Sequence, residues 1–243
     1  MIACDIAIVG GGIIGCAIAR ELSRYSLQAV VIEAANDIAC GTTKANGGLI
    51  HSGYDPAPGT MKSKVNARGN KLYSAWSKEL GFEFKRTGSM VLAFTQSDCE
   101  HLQTLLENGH ANGVEGLEIV GPERIHELEP QASPDAIQAL YCPHTGIVDP
   151  FDVAIAAAEN AAANGVEFLF NAPVQEISQT DGGFVLHTPK GDISSSWVIN
   201  AAGCYADAIS DMAGGEHFEI GWRQGNLLVL DKSATAESIM PIY

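Results

Sequence analysis

Residues 5–36 read "DIAIVGGGIIGCAIARELSRYSLQAVVIEAAN", and this stretch decides the fold. An apolar strand leads into a G-x-G-x-x-G motif, formed by Gly10, Gly12 and Gly15, and a helix begins at the motif. The next strand ends at Glu33, about 20 residues further on. Strand, glycine turn, helix and strand together make a βαβ unit, so we predict a parallel sheet covered by helices.

Each glycine of this motif has a separate task in binding a dinucleotide. Gly10 permits the tight turn, Gly12 lets the backbone approach a pyrophosphate, and Gly15 lets the helix pack closely on the strand. The N–H groups at the start of the helix, including those of Ile13 and Ile14, attract the phosphates. Because the motif stands between a strand and a helix, we predict a dinucleotide site rather than a bare glycine turn.

Glu33 and Ala34 extend the predicted cofactor site at the end of the second strand. The Glu33 carboxylate can accept hydrogen bonds from both ribose hydroxyls, and it would repel a 2′-phosphate, which disfavours NADP. This fingerprint by itself does not separate NAD from FAD.

Composition and charge limit the class of protein. The chain has 243 residues, 46% of them hydrophobic, enough for one large domain or two interleaved ones. No run reaches the ~18 to 20 apolar residues of a membrane span, and we interpret residues 1–9 as a strand rather than a signal segment. A net charge of -15 opposes nucleic acid as a partner. Six cysteines without zinc spacing predict no metal site and a reducing, cytoplasmic setting.

Capping residues and periodicity predict three helices in the middle of the chain. Thr60 precedes a helix over residues 61–80. Its apolar positions, which predict a core face, are Met61, Val65, Leu72, Trp76 and Leu80. After a strand over residues 89–95, Ser97 and Glu100 stand at capping-box spacing for the second helix. Pro122 opens a short third helix that ends at Leu128.

From Pro150 onward the sequence again predicts the helix-and-strand pattern of a parallel sheet, with an alanine-rich helix followed by the strand "VEFLF". Alternation and two turn signals over residues 173–201 predict a three-stranded antiparallel meander, whose last strand enters a second glycine turn. The predicted fold class is α/β, α+β overall. A discontinuous Rossmann-like dinucleotide-binding domain with the meander takes residues 1–60 and 140–215. An interleaved, incomplete substrate or cap domain takes residues 61–139 and 216–243.

Three segments resemble one known family. "GTTKANGGLIHSGYD", "TGIVDPFDV" and "VINAAGCYADAI" are similar to the FAD-dependent oxidoreductases of the D-amino-acid oxidase superfamily, closest to its glycerol-3-phosphate dehydrogenase and L-2-hydroxyglutarate oxidase branch. The resemblance extends over essentially the whole chain and implies FAD as the cofactor. Members of this superfamily continue beyond the point where this chain stops, so we expect a C-terminally truncated fragment that lacks part of the substrate site.

The resemblance also implies roles for residues of the cofactor site. Thr42 and Thr43 would hydrogen-bond the pyrophosphate, and Val174 would meet the adenine edge with its backbone. A segment with two glycines would pass beside the isoalloxazine, since glycine allows backbone to approach a flat ring. Its residues are Asn46, Gly47, Gly48 and Leu49. The residues implied to pack under the dinucleotide at the second glycine turn are Ala201, Ala202 and Gly203.

The implied reaction is oxidation of a secondary alcohol, with hydride passing to the flavin. His51 is the candidate base for the hydroxyl proton because its ordinary pKa is near neutral, and Tyr54 is the candidate for orienting the substrate. His144 is a weaker candidate. For the anionic group of the substrate, the candidates are Lys44, Lys62 and Arg68. Phosphate and carboxylate remain open, and a solvated basic face is the alternative interpretation of these cations.

The leading hypothesis is an FAD-dependent dehydrogenase that converts glycerol 3-phosphate to dihydroxyacetone phosphate and passes electrons to a quinone or protein acceptor. An oxidase of an L-2-hydroxy acid, such as 2-hydroxyglutarate, or of an amino acid is the first alternative. A non-catalytic FAD-binding fragment or subunit is the second, and an NAD-binding dehydrogenase is the last. The expected location is the cytoplasm, with a peripheral position at the inner face of the membrane as a variant.

Overall fold

A computed structural model of the chain describes residues 1–228 and 240–243. The helices within these residues are α1 (Ile13–Leu22), α2 (Met61–Leu80), α3 (Gln96–Ala111), α4 (Pro122–Leu128), α5 (Pro150–Ala163) and α6 (Ala206–Met212). The strands are β1 (Ile2–Val9), β2 (Ala29–Ile32), β3 (Leu49–Ile50), β4 (Phe84–Lys85), β5 (Ser89–Ala93), β6 (Glu118–Val120), β7 (Gln138–Cys142), β8 (Gly146–Val148), β9 (Glu167–Leu169), β10 (Glu176–Thr180), β11 (Gly183–Thr188) and β12 (Gly191–Asn200). Short 3₁₀ turns lie at Thr42–Lys44 and Gly203–Tyr205.

The chain divides into two compact units, each built from two separate segments. The first unit consists of Met1–Gly47 and Pro150–Leu227, and the second of Gly48–Asp149 and Leu228–Tyr243. These divisions differ from the expected ones at residues 60, 140 and 215. The physical reason at the first two is strand pairing, because β3 pairs with β8 and both therefore belong to the second unit.

The first unit is built on a six-stranded mixed sheet of order β10-β11-β12-β1-β2-β9. β1 pairs in parallel with β2 and β12, and β2 pairs in parallel with β9. β10, β11 and β12 form an antiparallel meander. The predicted parallel βαβ unit and meander are therefore confirmed. β12 belongs to both parts, since it borders β11 on one side and β1 on the other.

The two faces of this sheet carry two apolar cores, as alternation of side chains along a strand requires. On one face, Ile8 of β1 packs with Ala19 of α1 and Ala161 of α5. On the other face, Val9 packs with Ile209 of α6. Covering both faces with helices buries β2 completely, and this explains its continuous apolar sequence.

The sequence predicts the first helix over residues 13–26, but helix α1 ends at Leu22, four residues earlier. The hydroxyl of Ser23 donates to the carbonyl oxygen of Arg20 at 2.8 Å. Serine side chains compete with the helical backbone for such acceptors, and this competition favours termination.

The second unit contains two three-stranded antiparallel sheets, β3-β8-β4 and β5-β7-β6. Helix α3 packs on the second sheet, where Leu102 and Leu105 join Leu140 of β7 in an apolar core. A further core on this sheet includes Met90 of β5 and Ile125 of α4.

Helix α2 has the predicted bounds and the predicted cap, since Thr60 Oγ1 accepts a hydrogen bond from the Ser63 N–H at 3.2 Å. Its predicted core face is wrong. Met61, Val65 and Leu72 are 71%, 57% and 42% exposed, and the side chains that α2 buries include the polar Asn70. The polar side faces inward because Asn70 hydrogen-bonds to main-chain carbonyls of neighbouring loops.

Helix α3 begins with a different capping box from the predicted one. Thr95 Oγ1 accepts from the Asp98 N–H at 3.3 Å, and the Asp98 carboxylate accepts from the Thr95 N–H at 2.9 Å. The preceding strand ends at Ala93 because Thr95 already serves as the N-cap. The predicted box of Ser97 and Glu100 is displaced by two residues, since "TQSD" offers the same spacing two positions earlier.

The described part of the chain lacks two features, a membrane-spanning helix and a metal-binding cluster. No helix there is both long and apolar enough to cross a membrane. Within residues 1–228 and 240–243, no group of three or more His, Cys, Asp and Glu side chains is arranged to hold a metal ion.

Candidate functional site

The glycine turn in the first unit is tightly packed at two of its three motif positions. Gly10 has φ +111°, and a Cβ atom there would lie 2.8 Å from the carbonyl carbon of Ala201. A Cβ on Gly15 would overlap the carbonyl oxygen of Gly10. Gly12 differs, because its φ is -77° and the nearest atom to an added Cβ is Thr43 Oγ1 at 3.1 Å. Packing therefore demands glycine at positions 10 and 15. At position 12, an added Cβ would meet only Thr43 Oγ1 among the described atoms.

The start of α1 offers N–H groups that are available to an anion. Thr43 Oγ1 accepts from the Ile13 N–H at 3.0 Å, so one N–H is capped. Among the described residues, no acceptor is found for the N–H groups of Gly12, Ile14 and Gly15. Unpaired N–H groups at a helix start, together with the helix dipole, favour a phosphate group.

The carboxylate of Glu33 is held rigidly beside the glycine turn. It accepts hydrogen bonds from the N–H of Gly11 at 2.6 Å and from the N–H of Ala35 at 2.7 Å. Each oxygen of an ionised carboxylate keeps a lone pair for a further donor, such as a ribose hydroxyl. Ala34, the next residue, is exposed. The structure thus brings Glu33 to the glycine turn, and the roles of Glu33 and Ala34 in binding a cofactor stay predictions.

The loop after Glu33 has one threonine in a capping position and one in solvent. Thr43 is buried against the start of α1, and its hydroxyl still has a proton to donate. Thr42 is exposed. Asn46 Nδ2 donates to the carbonyl oxygens of Thr42 at 3.2 Å and of Thr43 at 2.7 Å, so it closes this turn. Gly47 is exposed, and no atom of the described residues lies within 4 Å of an added Cβ there.

The second glycine turn lies directly against the first. The Ala201 N–H donates to the Val9 carbonyl oxygen at 2.9 Å, which continues the β12–β1 ladder up to Gly10. Ala202 donates to Asn200 Oδ1 at 3.3 Å, and Gly203 has φ +57°. Two of the three residues predicted under the dinucleotide, Ala201 and Ala202, are therefore in contact with the motif.

Val174 is part of the loop that precedes β10. Its side chain packs against the apolar core that includes Ile177. Within the described residues, its backbone N–H and carbonyl have no hydrogen-bond partner. Their contact with an adenine edge stays a prediction.

Gly48 and Leu49, predicted beside the isoalloxazine, belong to the second unit. The Gly48 carbonyl oxygen accepts from the Val148 N–H at 2.9 Å, and Leu49 pairs with Ile147 in the β3–β8 ladder. Their contact with a ring stays a prediction.

His51 lines a cavity of about 160 Å³ in the second unit. The residues lining it are His51, Gly53, Tyr54, Asp55, Pro56, Lys62 and Asn66. The imidazole stacks on Tyr243, with ring centroids 6.2 Å apart and planes inclined by 28°. Partial burial lowers the pKa of His51, Asp55 raises it, and Lys62 lowers it. The net lowering keeps the imidazole neutral at neutral pH, so that it can accept a proton.

Tyr54 lines the same cavity but is chiefly a core residue. Its side chain is buried with Leu102, Leu140 and Cys142. Burial raises the pKa of Tyr54 to about 12, so the phenol stays protonated. Its role in orienting a substrate stays a prediction.

The other candidates from the sequence lie in different places. Lys62 is at the His51 cavity and lies 3.6 Å from Asp55. Arg68 is exposed on α2, and Lys44 is exposed in the first unit. His144 lines a separate cavity of about 300 Å³.

Asn66 was missed by the sequence reasoning. Its Oδ1 atom is buried, and no described residue donates a hydrogen bond to it. A buried acceptor without a donor is costly, so a ligand hydroxyl or water would be favoured there. The available signal was spacing, because Asn66 follows Lys62 by four residues and thus shares its side of α2.

Comparison with known proteins gives one family and several relatives. The model of the family described as "DAO: FAD dependent oxidoreductase" matches residues 5–243. A glycerol 3-phosphate dehydrogenase from Caloramator mitchellensis is 44% identical over 94% of this chain and 48% of its own length. A mitochondrial L-2-hydroxyglutarate dehydrogenase from Homo sapiens is 35% identical over 86% of this chain and 48% of its own length.

A solved structure gives the same result for the fold. L-α-glycerophosphate oxidase from Mycoplasma pneumoniae, in its dithionite-reduced form with FAD bound, superimposes with a TM-score of 0.86 at 34% identity. The match covers 90% of this chain and 59% of that one. The chain spans about half the length of the curated relatives reported above.

Proposed function

The chain belongs to the DAO family of FAD-dependent oxidoreductases, and from this premise we propose that it is part of a dehydrogenase that oxidises glycerol 3-phosphate to dihydroxyacetone phosphate. The 44% identity to a protein named glycerol 3-phosphate dehydrogenase favours this substrate. The observation that carries the chemistry is the neutral imidazole of His51 in a small cavity with Lys62 and Asn66. The proposed electron acceptor is a quinone or a protein.

The first unit has the features needed to hold the cofactor. The N–H groups of Gly12, Ile14 and Gly15, which have no acceptor among the described residues, would bind the pyrophosphate, and the Thr43 hydroxyl would donate to it. Glu33 would accept from the ribose hydroxyls. When bound, the flavin supplies the acceptor for the hydride that leaves the alcohol carbon.

The residues of the second unit would handle the substrate. His51 would accept the hydroxyl proton at a ring nitrogen, because its lowered pKa leaves that nitrogen unprotonated at neutral pH. The Lys62 ammonium would attract the phosphate, and Asn66 Oδ1 would accept a hydrogen bond from a substrate hydroxyl. Tyr54 would form a wall of the site.

Anaerobic bleaching of bound flavin tests this proposal in the FAD-loaded protein. We expect glycerol 3-phosphate to bleach the flavin and L-2-hydroxyglutarate to leave it oxidised. His51→Gln should slow bleaching by about 10²-fold while FAD stays bound, since a general base contributes a factor of about that size. Bleaching at an unchanged rate would remove His51 as the base.

A second candidate is an oxidising enzyme for L-2-hydroxy acids or amino acids. The 35% identity to L-2-hydroxyglutarate dehydrogenase favours the hydroxy acid, and a carboxylate would also suit Lys62. Bleaching by L-2-hydroxyglutarate alone would select it. Tight FAD binding without bleaching by either compound would instead favour a non-catalytic FAD-binding fragment or subunit.

We further propose that the protein works in the cytoplasm and touches anionic lipid through α2. The exposed Met61, Val65 and Leu72 lie along one side of this helix, and Lys64 and Arg68 flank them. Such a face is typical of helices that lie in a membrane interface. The cations Lys64 and Arg68 on this face contrast with the net charge of -15 of the whole chain.

Flotation with lipid vesicles tests this contact. We expect binding to vesicles that contain phosphatidylserine, weaker binding to pure phosphatidylcholine, and loss of binding in the double variant Lys64→Glu with Arg68→Glu. Binding that is independent of anionic lipid, or equal in the double variant, would contradict the proposal.

A further inference from the structure

Asn70 lies in the middle of α2 and is only 5% exposed. Its Nδ2 atom faces three main-chain carbonyl oxygens, those of Ile50 at 3.3 Å, His51 at 3.2 Å and His144 at 2.9 Å. An amide has two N–H bonds, so they are shared among three acceptors. One side chain therefore joins the loop that carries His51 to the turn before β8.

Arg86 fixes the orientation of that amide. Its Nη1 donates to Asn70 Oδ1 at 3.1 Å and to the His144 carbonyl oxygen at 2.5 Å. Its Nη2 donates to the Asn70 carbonyl oxygen at 3.3 Å and to Ser74 Oγ at 3.0 Å. A guanidinium can only donate, so the Asn70 atom that faces it must be the oxygen. The Nδ2 atom must then face the carbonyls.

The loop over residues 50–56 has other anchors, but they hold other atoms. Asn112 Nδ2 donates to the carbonyl oxygens of Gly53 at 2.9 Å and Pro56 at 2.8 Å. Cys142 Sγ donates to Ser52 Oγ at 2.9 Å. Among the side chains for which the described structure gives a hydrogen bond, Asn70 is the one that bonds to the main chain of His51.

We propose that Asn70 and Arg86 are positioning residues for His51, which they hold at the cavity by fixing the carbonyl oxygen of that same residue. This inference rests on the proposed function, in which the His51 imidazole accepts the substrate proton. It explains why α2 buries a polar side chain at Asn70. It also gives Arg86 an orienting task that lysine could not fulfil, because lysine lacks the planar fork of donors.

Asn70→Asp is the sharpest variant. It keeps the size of the side chain and an acceptor for Arg86, but it turns a carboxylate oxygen toward the carbonyls of Ile50, His51 and His144. Arg86→Lys is a milder variant, since it keeps the positive charge and loses only the planar set of N–H donors of the guanidinium. Lys71→Ala on the same helix lowers the net charge by the same amount as Asn70→Asp and controls for that change, and Ile125→Val controls for a small loss of core packing.

The readout is the pKa of His51, measured by NMR titration of the ring protons, with the signal assigned by its disappearance in His51→Gln. The groups that face this ring are Asp55, Lys62 and Tyr243. Release of the loop should expose the imidazole to water. We expect the pKa of His51 to rise toward its ordinary value in Arg86→Lys, which keeps the charge, so Arg86→Lys is the deciding variant. In Asn70→Asp the pKa should rise further, because the new carboxylate also favours the imidazolium. Both controls should leave it unchanged.

Kinetics of the FAD-loaded protein give a second readout. Asn70→Asp and Arg86→Lys should lower kcat by about 10-fold or more with little change in KM, because the proton acceptor is misplaced while the binding groups remain. A lower melting temperature with unchanged His51 pKa and kcat would make the pair merely structural and overturn the inference. Should Asn70→Asp fail to fold, Arg86→Lys decides by the same criteria.

The two readouts separate this inference from the proposed function. A shifted His51 pKa in a protein whose flavin no substrate bleaches would support the positioning contact and refute the function. An unshifted His51 pKa in an enzyme whose flavin is bleached would refute the positioning contact and support the function.

Discussion

Replacing single glycines of the turn should separate folding from cofactor binding. In Gly10→Ala, the new side chain must adopt φ +111° and lies 2.8 Å from the carbonyl carbon of Ala201. The backbone conformation costs about 1 to 3 kcal/mol. The displacement of Ala201 costs about as much again. We therefore expect a loss of about 4 kcal/mol in unfolding free energy, which is a large part of the stability of a typical protein.

Gly12→Ala should behave in the opposite way. Its φ of -77° suits alanine, and the hydroxyl of Thr43 at 3.1 Å can yield slightly. We expect a loss of about 1 kcal/mol, since alanine is a poorer N-cap residue than glycine but its backbone is unstrained here. The methyl group would, however, occupy the space in front of the unpaired N–H groups. FAD affinity should fall by about 10-fold or more, equivalent to about 1.4 kcal/mol.

The assay is thermal unfolding of the cofactor-free protein, followed by FAD titration monitored by flavin fluorescence. At about 2 to 4 °C per kcal/mol, Gly10→Ala should melt roughly 8 to 16 °C below the wild type, and Gly12→Ala within about 4 °C of it. Gly182→Ala, in the turn between β10 and β11 with open space around an added Cβ, is the control for both measurements. A stable Gly10→Ala or a Gly12→Ala with unchanged FAD affinity would refute the reasoning.

Three further perturbations test other parts of the molecule. Thr95→Ala should cost about 1 kcal/mol in thermal unfolding, whereas Ser97→Ala should be nearly neutral, because Thr95 is the N-cap of α3; equal losses would contradict this cap. The pKa of His51 is lowered from 6.5 in the folded chain, so acidification below pH 6.5 favours unfolding, and His51→Gln should lose less stability than the wild type as the pH falls below 6.5 in urea denaturation; an unaltered profile would argue against a depressed pKa. Asn66→Ala should weaken glycerol 3-phosphate binding by about 3- to 10-fold and leave 3-hydroxypropyl phosphate, which lacks the central hydroxyl, unaffected by calorimetry; equal weakening of both would show that Asn66 does not bind that hydroxyl.

Much of the fold could be predicted because turn glycines, strand alternation and helix caps depend on interactions between residues close in sequence. The glycine motif, the parallel unit around β1 and the meander of β10 to β12 follow from strand alternation and turn residues. The bounds of α2 follow from Thr60 and from Gly81, which has φ +82° at the helix end. These signals act within a few residues, so they can be interpreted without knowledge of the tertiary structure.

Apart from the end of α1 and the cap of α3, which are local, the errors arose where distant contacts decide. The apolar positions of α2 predict a buried face, yet Asn70 turns inward because Ile50 and His144 supply its acceptors from distant parts of the chain. The two-residue strand β3 has no periodic signal of its own, and its pairing with β8 is what moved the boundary of the second unit. The spacing of Asn66 from Lys62 places it near the cavity but does not show that its Oδ1 atom is buried without a donor among the described residues, because burial depends on distant parts of the chain.

The central pairing of the first unit has a consequence for biosynthesis. Cys4 of β1 donates to the carbonyl oxygen of Ser194 of β12, 190 positions later. At ribosomal rates, roughly 10 to 40 s separate the synthesis of these two strands. During that interval one edge of β1 has no native neighbour, and an unpaired strand edge is a template for aggregation. The nascent chain is therefore expected to need a chaperone or early helix packing until β12 emerges, and slow closure of this pair should limit its folding rate.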